Sequence, residues 1–174
     1  MPVLSGFPER SEAAPYYFGY IDRVKSDDVV GVLERQLAET PPVLRAVSEE
    51  RSLHRYEPGK WSIREVLGHV SDAERVFLYR ALWFARGFDT PLPSFDEKAS
   101  VAASGADQVP WARHIEEFRA VREATVAFFR NLPGEGWRRT GTASDKLFTT
   151  RALAYVIAGH LDHHRAILRE RYLR

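Results

Sequence analysis

The sequence predicts an all-α fold, a four-helix bundle, and three observations lead there. Four stretches, about 26–47, 62–86, 108–131 and 149–172, carry apolar residues at the three-and-four spacing of a buried helix face. Proline and glycine gather in the joints between them, and no internal repeat or low-complexity tract interrupts the pattern. The length of 174 residues, 44% hydrophobic and 28% charged, is that of one globular domain, able to bury a core without a disulfide or structural metal.

In chain order, residues 1–25 read as a mostly irregular arm. Its aromatics, Tyr16, Tyr17, Phe18 and Tyr20, are expected to pack it onto the body rather than leave them in water. Ser26 or Asp27 caps the first helix, which carries Val29, Val30, Leu33 and Leu37 until Pro41 and Pro42 break or kink it, with a short continuation through Leu44 and Val47. Ser62 with Glu65 three residues on forms a capping box for the second helix, and Gly87 marks its stop. Its stripe is Ile63, Val66, Leu67, Val70, Phe77, Ala81 and Phe84.

Residues 87–106 are too many for a turn between antiparallel neighbours, so they are expected to cross one end of the bundle. The third helix has the stripe Trp111, Ile115, Phe118, Thr125, Phe129 and Leu132. The turn-rich segment 133–150 has room for a short hairpin over one mouth of the bundle, and Thr149 or Thr150 caps the last helix. The basic end, RAILRERYLR, reads as a solvated face that complements the helix dipole.

Composition excludes several classes. Lysine plus arginine number 25 against 24 acids, so no basic footprint for nucleic acid or an anionic membrane exists. No cysteine is present, which removes disulfides, thiolate metal sites and a cysteine nucleophile. No apolar run is long enough for a membrane span, and the first residues lack the pattern of a signal peptide, so the expected location is cytoplasmic. No Glu-x-x-His, HExxH or Gly-rich phosphate loop occurs.

The histidines carry the chemistry. The last stripe reads Leu153, Ile157, His160, His164, Ile167, so two imidazoles one turn apart lie on a buried face. That spacing lets two ring nitrogens meet one cation. His69 lies at the edge of the second helix's core face and is the expected third ligand. Three neutral imidazoles with an open fourth position suit a catalytic zinc, nickel or ferrous ion. The competing reading is a set of core histidines with satisfied hydrogen bonds. His163 points about 60° away from His160 on the helical wheel, and His54 and His114 read as structural or exposed.

KWSIREVLGHVSDAERVFLYRALWFARG, followed later by RALAYVIAGHLDHHRAILRERYL, resembles the DinB/YfiT-like superfamily. YIDRV, LPSFDE, FRAVREATVAFF and RTGTASDKLFTTRALA extend the likeness in the same order from about Pro15. The resemblance implies an up-down-down-up bundle, a homodimer, and a three-histidine divalent metal site at His69, His160 and His164. It further implies a metal-dependent hydrolase, or an S-transferase that uses a low-molecular-weight thiol such as bacillithiol or mycothiol. With no cysteine in the chain, such a thiol would arrive as a cosubstrate.

Around this centre, Asp72 is one turn beyond His69 and a candidate to orient an imidazole or take a proton, against the reading of a solvated carboxylate. Arg80 is a candidate to hold an anionic substrate group at a pocket mouth, or to pair with a neighbouring helix. Trp61 is a candidate pocket wall, or a packing aromatic. The rival to an enzyme is a non-catalytic interaction module in which the metal staples two helices; a fourth protein ligand would favour it.

Overall fold

The computed structural model describes residues 6–174; the beginning of the expected arm, 1–5, lies outside the described residues. The helices are α1 Phe18–Ile21, α2 Val29–Arg45, α3 Ile63–Ala85, α4 Glu97–Ser104, α5 Trp111–Arg130 and α6 Thr150–Ile167. A hairpin of β1 Thr140–Ala143 and β2 Lys146–Thr149 precedes α6.

Pairs of touching residues fix the helix directions. Trp111 at the start of α5 donates to the Leu44 carbonyl near the end of α2, and Arg130 at the end of α5 pairs with Glu34, so these two run antiparallel. Glu74 of α3 meets Arg122 of α5, and Gly68 adjoins His114, so α3 and α5 run parallel. His69 meets His160 while Trp61, before α3, meets Tyr172, so α3 and α6 are antiparallel. Gln36 meets Ala158 and Glu39 meets Arg165, so α2 and α6 are parallel. The order is up-down-down-up. Parallel neighbours need a connection that returns along the bundle, and residues 86–110 supply it.

Local chemistry sets the ends. Ser62 and Glu65 make the reciprocal capping box at α3, and Thr149 Oγ1 accepts from Ala152 N at α6. α2 is capped by Asp28, one residue later than expected. The return connection is more ordered than a loop: Asp96 caps α4, and Leu92 bonds to Thr142 and Ser144 of the hairpin. Ser144 and Asp145 both take positive φ, the two-residue turn geometry that matches strand twist.

Three expectations are corrected. Pro41 and Pro42 do not end α2, which continues to Arg45. The prolines free the carbonyls of Leu37, which is half-buried, and Ala38, which is exposed to water, and the final turn is anchored by buried Leu44 and its bond from Trp111. The described part of the arm, 6–25, is more regular than expected, with half of it in two 3₁₀ turns and α1. The basic end is only partly solvated, because Leu168 and Tyr172 are buried in a closing π-turn.

The arm is clamped to the start of α6 through Glu12. Its carboxylate accepts from Thr149 Oγ1 (2.7 Å), from Arg151 and from the Glu9 amide. Burial pushes this carboxyl up, but those hydrogen bonds together hold it below the usual glutamate range.

Polar residues separate two apolar clusters along every long helix. One cluster holds Leu33, Phe84, Phe129 and Leu153; the other holds Leu44, Leu67, Phe118 and Leu161. In the seam Arg122, fully buried, forms a two-pronged pair with Glu74 (2.8 and 2.8 Å) and donates to Gln36 Oε1 (2.6 Å). Gln36 Nε2 in turn donates to the Ala158 carbonyl (2.9 Å), so one network joins α2, α3, α5 and α6.

Glu74→Gln leaves the Arg122 cation buried without a counter-charge and should cost about 3–5 kcal/mol in chemical denaturation. Adding Arg122→Met should recover most of that loss. For Glu12, the folded carboxyl titrates below its unfolded value, so its contribution is present above about pH 4.5 and vanishes as pH falls through the lowered value. Glu12→Gln should therefore lower the melting temperature by roughly 2–4 °C at pH 7, with the gap narrowing as the pH falls below about 4.5 and through the lowered value.

Candidate metal centre

His69 on α3 and His160 and His164 on α6 converge at the polar seam, and all three are buried. The Nε2 atoms of His69 and His160 are 3.1 Å apart, and those of His160 and His164 are 3.2 Å apart. Nitrogens each about 2.0–2.1 Å from a shared ion would lie between about 2.9 Å apart (octahedral) and about 3.4 Å apart (tetrahedral). The spacing fits a cation better than hydrogen bonds. His160 Nε2 has one proton or one lone pair, which serves one neighbour well and not two.

Protonation does not relieve the cluster. Burial, followed by the neighbouring imidazoles His164 and His69, drives His160 well below the usual histidine range. Burial, then His69, pulls His164 down to about 3. Burial also lowers His69, against the opposing pull of Glu97 and Asp72. Near neutral pH these are three neutral donors facing one point, the protonation state that a metal ion requires.

Packing aims the rings. His69 Nδ1 and His164 Nδ1 have no hydrogen-bond partner among the described residues, so no carboxylate orients them. Instead Trp61 lies 5.0 Å from the His69 ring, His163 lies 5.0 Å from the His164 ring, and Tyr20 and Phe77 flank His160. Tyr20 reaches His160 because the preceding residue is glycine: a Cβ on Gly159 would stand 2.0 Å from the Tyr20 carbonyl oxygen.

A cavity of about 190 Å³ opens beside the cluster, lined by His69 and His160 together with Tyr17, Tyr20, Phe77, Arg80 and Glu97. Glu97 is the first residue of α4, and its Oε2 lies 4.0 Å from His69 Nε2. Among the described residues it is the carboxylate that approaches the centre, and none joins the histidines as a fourth ligand.

The other sequence candidates fall differently. Asp72 bonds to Arg75 and accepts from Ser100 Oγ of α4, not from a ring nitrogen, so it braces α4 against α3. Trp61 packs on His69 and does not line the cavity. Arg80 does line it, but from a buried position and not at a mouth. His114 is buried, bonded to the Ala106 carbonyl and away from the centre, while His163 stays half-buried beside Tyr20. Sequence reasoning missed Glu97 as a site residue, although it closes the LPSFDE stretch that carried part of the family likeness, and it read the arm's tyrosines as packing alone.

The sequence profile of the DinB superfamily matches residues 32–168, a span that includes all three histidines. The chain belongs to the DinB superfamily. Among solved structures, this DinB protein is similar to YfiT from Bacillus subtilis, described as a probable metal-dependent hydrolase with an unusual four-helix bundle topology. The two superpose with a TM-score of 0.73 over 95% of this chain and 91% of that one, at 18% sequence identity, a likeness that shows the fold. No curated protein matches the sequence. No helix among the described residues is long and apolar enough to cross a membrane.

Proposed function

We propose that this DinB protein is a metal-dependent hydrolase in which His69, His160 and His164 hold one divalent ion. The observation that carries this reading is the meeting of three buried, neutral Nε2 atoms beside a cavity. An all-imidazole donor set suits zinc, nickel or ferrous iron. A divalent ion in such a site supplies Lewis acidity, acidifying a water and polarising a substrate oxygen.

The chain's own groups do the rest. Glu97 Oε2 is placed to take a proton from the attacking water and return it to the leaving group. Tyr17, Tyr20 and Phe77 exclude bulk water from one side of the reacting centre, which strengthens charge interactions within it. The Tyr20 ring also keeps His160 from turning away.

Hydrolysis is favoured over transfer to a thiol cosubstrate on two grounds. The cavity of about 190 Å³ is below the roughly 300–1,000 Å³ of pockets that take drug-sized ligands, so it suits one small substrate rather than a substrate plus bacillithiol or mycothiol. A carboxylate base also serves a water. A metal that only staples helices is disfavoured because structural sites are closed by four protein ligands, and three gather here among the described residues.

Purified protein should take up one zinc, nickel or iron per chain by elemental analysis, and His164→Asn should lose it. Zinc should raise the melting temperature of the wild type and leave that of the variant nearly unmoved. On a panel of small esters and amides, Glu97→Gln should lower kcat about 10²–10⁴-fold with metal content unchanged. Turnover that appears only when a thiol is added would instead identify an S-transferase.

A further inference from the structure

Arg80 stands out among the buried charges. It is 3% exposed, yet among the described residues no carboxylate pairs with it, whereas buried Arg122 has Glu74 and buried Arg64 has Glu49. Its partners are neutral: Nη2 donates to the Pro93 carbonyl (3.1 Å) and to Ser144 Oγ (3.0 Å), and the Tyr17 hydroxyl adjoins it. Burial lowers its pKa, and the opposing pull of Tyr17 does not make up for the water lost. Carrying such a charge is expensive unless an anion joins it.

The guanidinium also has a defined relation to the metal centre. It lies 5.8 Å from the Phe77 ring centroid, and that ring lies 6.0 Å from the His160 ring. One aromatic side chain thus separates the cation from the imidazoles along the wall of a shared cavity. Arg80 is held from three directions, by α3 itself, by the return connection at Pro93 and by the hairpin at Ser144. The cavity's negative group, Glu97, stands at the histidine end, 4.0 Å from His69.

We propose that Arg80 is a substrate-binding residue that receives a carboxylate or phosphate group, and that the substrates are therefore small anions with an apolar body. The apolar part lies against Phe77 and Tyr17, the charged end docks on Arg80, and the scissile group is left facing the histidines. Glu97 fixes the orientation by repelling the anionic end. A guanidinium matches the planar geometry of such groups and keeps its charge at any working pH. This inference deepens the hydrolase reading in that it supplies the substrate class; the anion site itself stands on Arg80 alone.

The test is binding of benzoate and phenyl phosphate, with neutral benzamide as the control, to metal-free and zinc-loaded protein by NMR titration. At least one anion should bind both forms tenfold or more tightly than benzamide, shifting the amides of Tyr17 and Ser144. Arg80→Met should lose that preference, and Arg80→Lys should keep part of it. If Arg80→Met fails to fold, the comparison of anion with benzamide in the wild type decides. Equal binding of anions and benzamide, or anion binding unchanged in Arg80→Met, would overturn the proposal. Failure to bind zinc would sink the hydrolase reading instead, while the metal-free titration would still report on Arg80.

Discussion

His160 Nε2 has two imidazole nitrogens at 3.1 and 3.2 Å and only one proton or lone pair with which to meet them. Burial, followed by the neighbouring imidazoles His164 and His69, opposes the remedy of protonating it. A bundle that held this arrangement for stability alone would gain more from leucines, since each polar group buried without a partner costs about 1–3 kcal/mol. The surrounding structure makes sense as the apparatus that imposes this convergence. α3 and α6 are antiparallel neighbours, so His69 comes level with the pair on α6, and Gly159 lets α1 close over the cluster.

The Glu74–Arg122–Gln36 network does the complementary work. It ties all four long helices at the level where the apolar core is interrupted, and directional bonds there fix the relative height of α3 and α6 more sharply than hydrophobic contact can. The up-down-down-up order has a second consequence. Because α3 and α5 run parallel, the chain must return along the bundle, and that return delivers Glu97 to the histidines and Pro93 to Arg80. The arm, clamped by Glu12 to the start of α6, brings Tyr17 and Tyr20 to the same cavity. The pieces that line the cavity thus come from the connections as much as from the helices.

The legible part of the sequence was the part governed by period. The long helices, the Ser62–Glu65 box, the Thr149 cap and the histidine stripe follow from spacing and capping, which are local. The prolines of α2 misled because tertiary anchoring at Leu44 and Trp111 outweighs a local preference. Glu97 was invisible because nothing in a connecting segment says which way it returns, and Asp72 looked closer to His69 than its hydrogen bonds allow. Arg122 and Glu74, 48 residues apart, carry no sequence sign that they pair. Even so, the three histidines could be chosen from the chain, because one pair shares a helix turn and His69 lies at the edge of the second helix's core face, a choice the family likeness repeated.

The most direct measurement of the central claim is zinc-edge anomalous diffraction from crystals of the zinc-loaded protein. The account predicts a single peak per chain, with Nε2 of His69, His160 and His164 each about 2.0–2.1 Å away and a non-protein oxygen completing the shell. A peak elsewhere, or one held by the α6 pair with His69 turned aside, would contradict it.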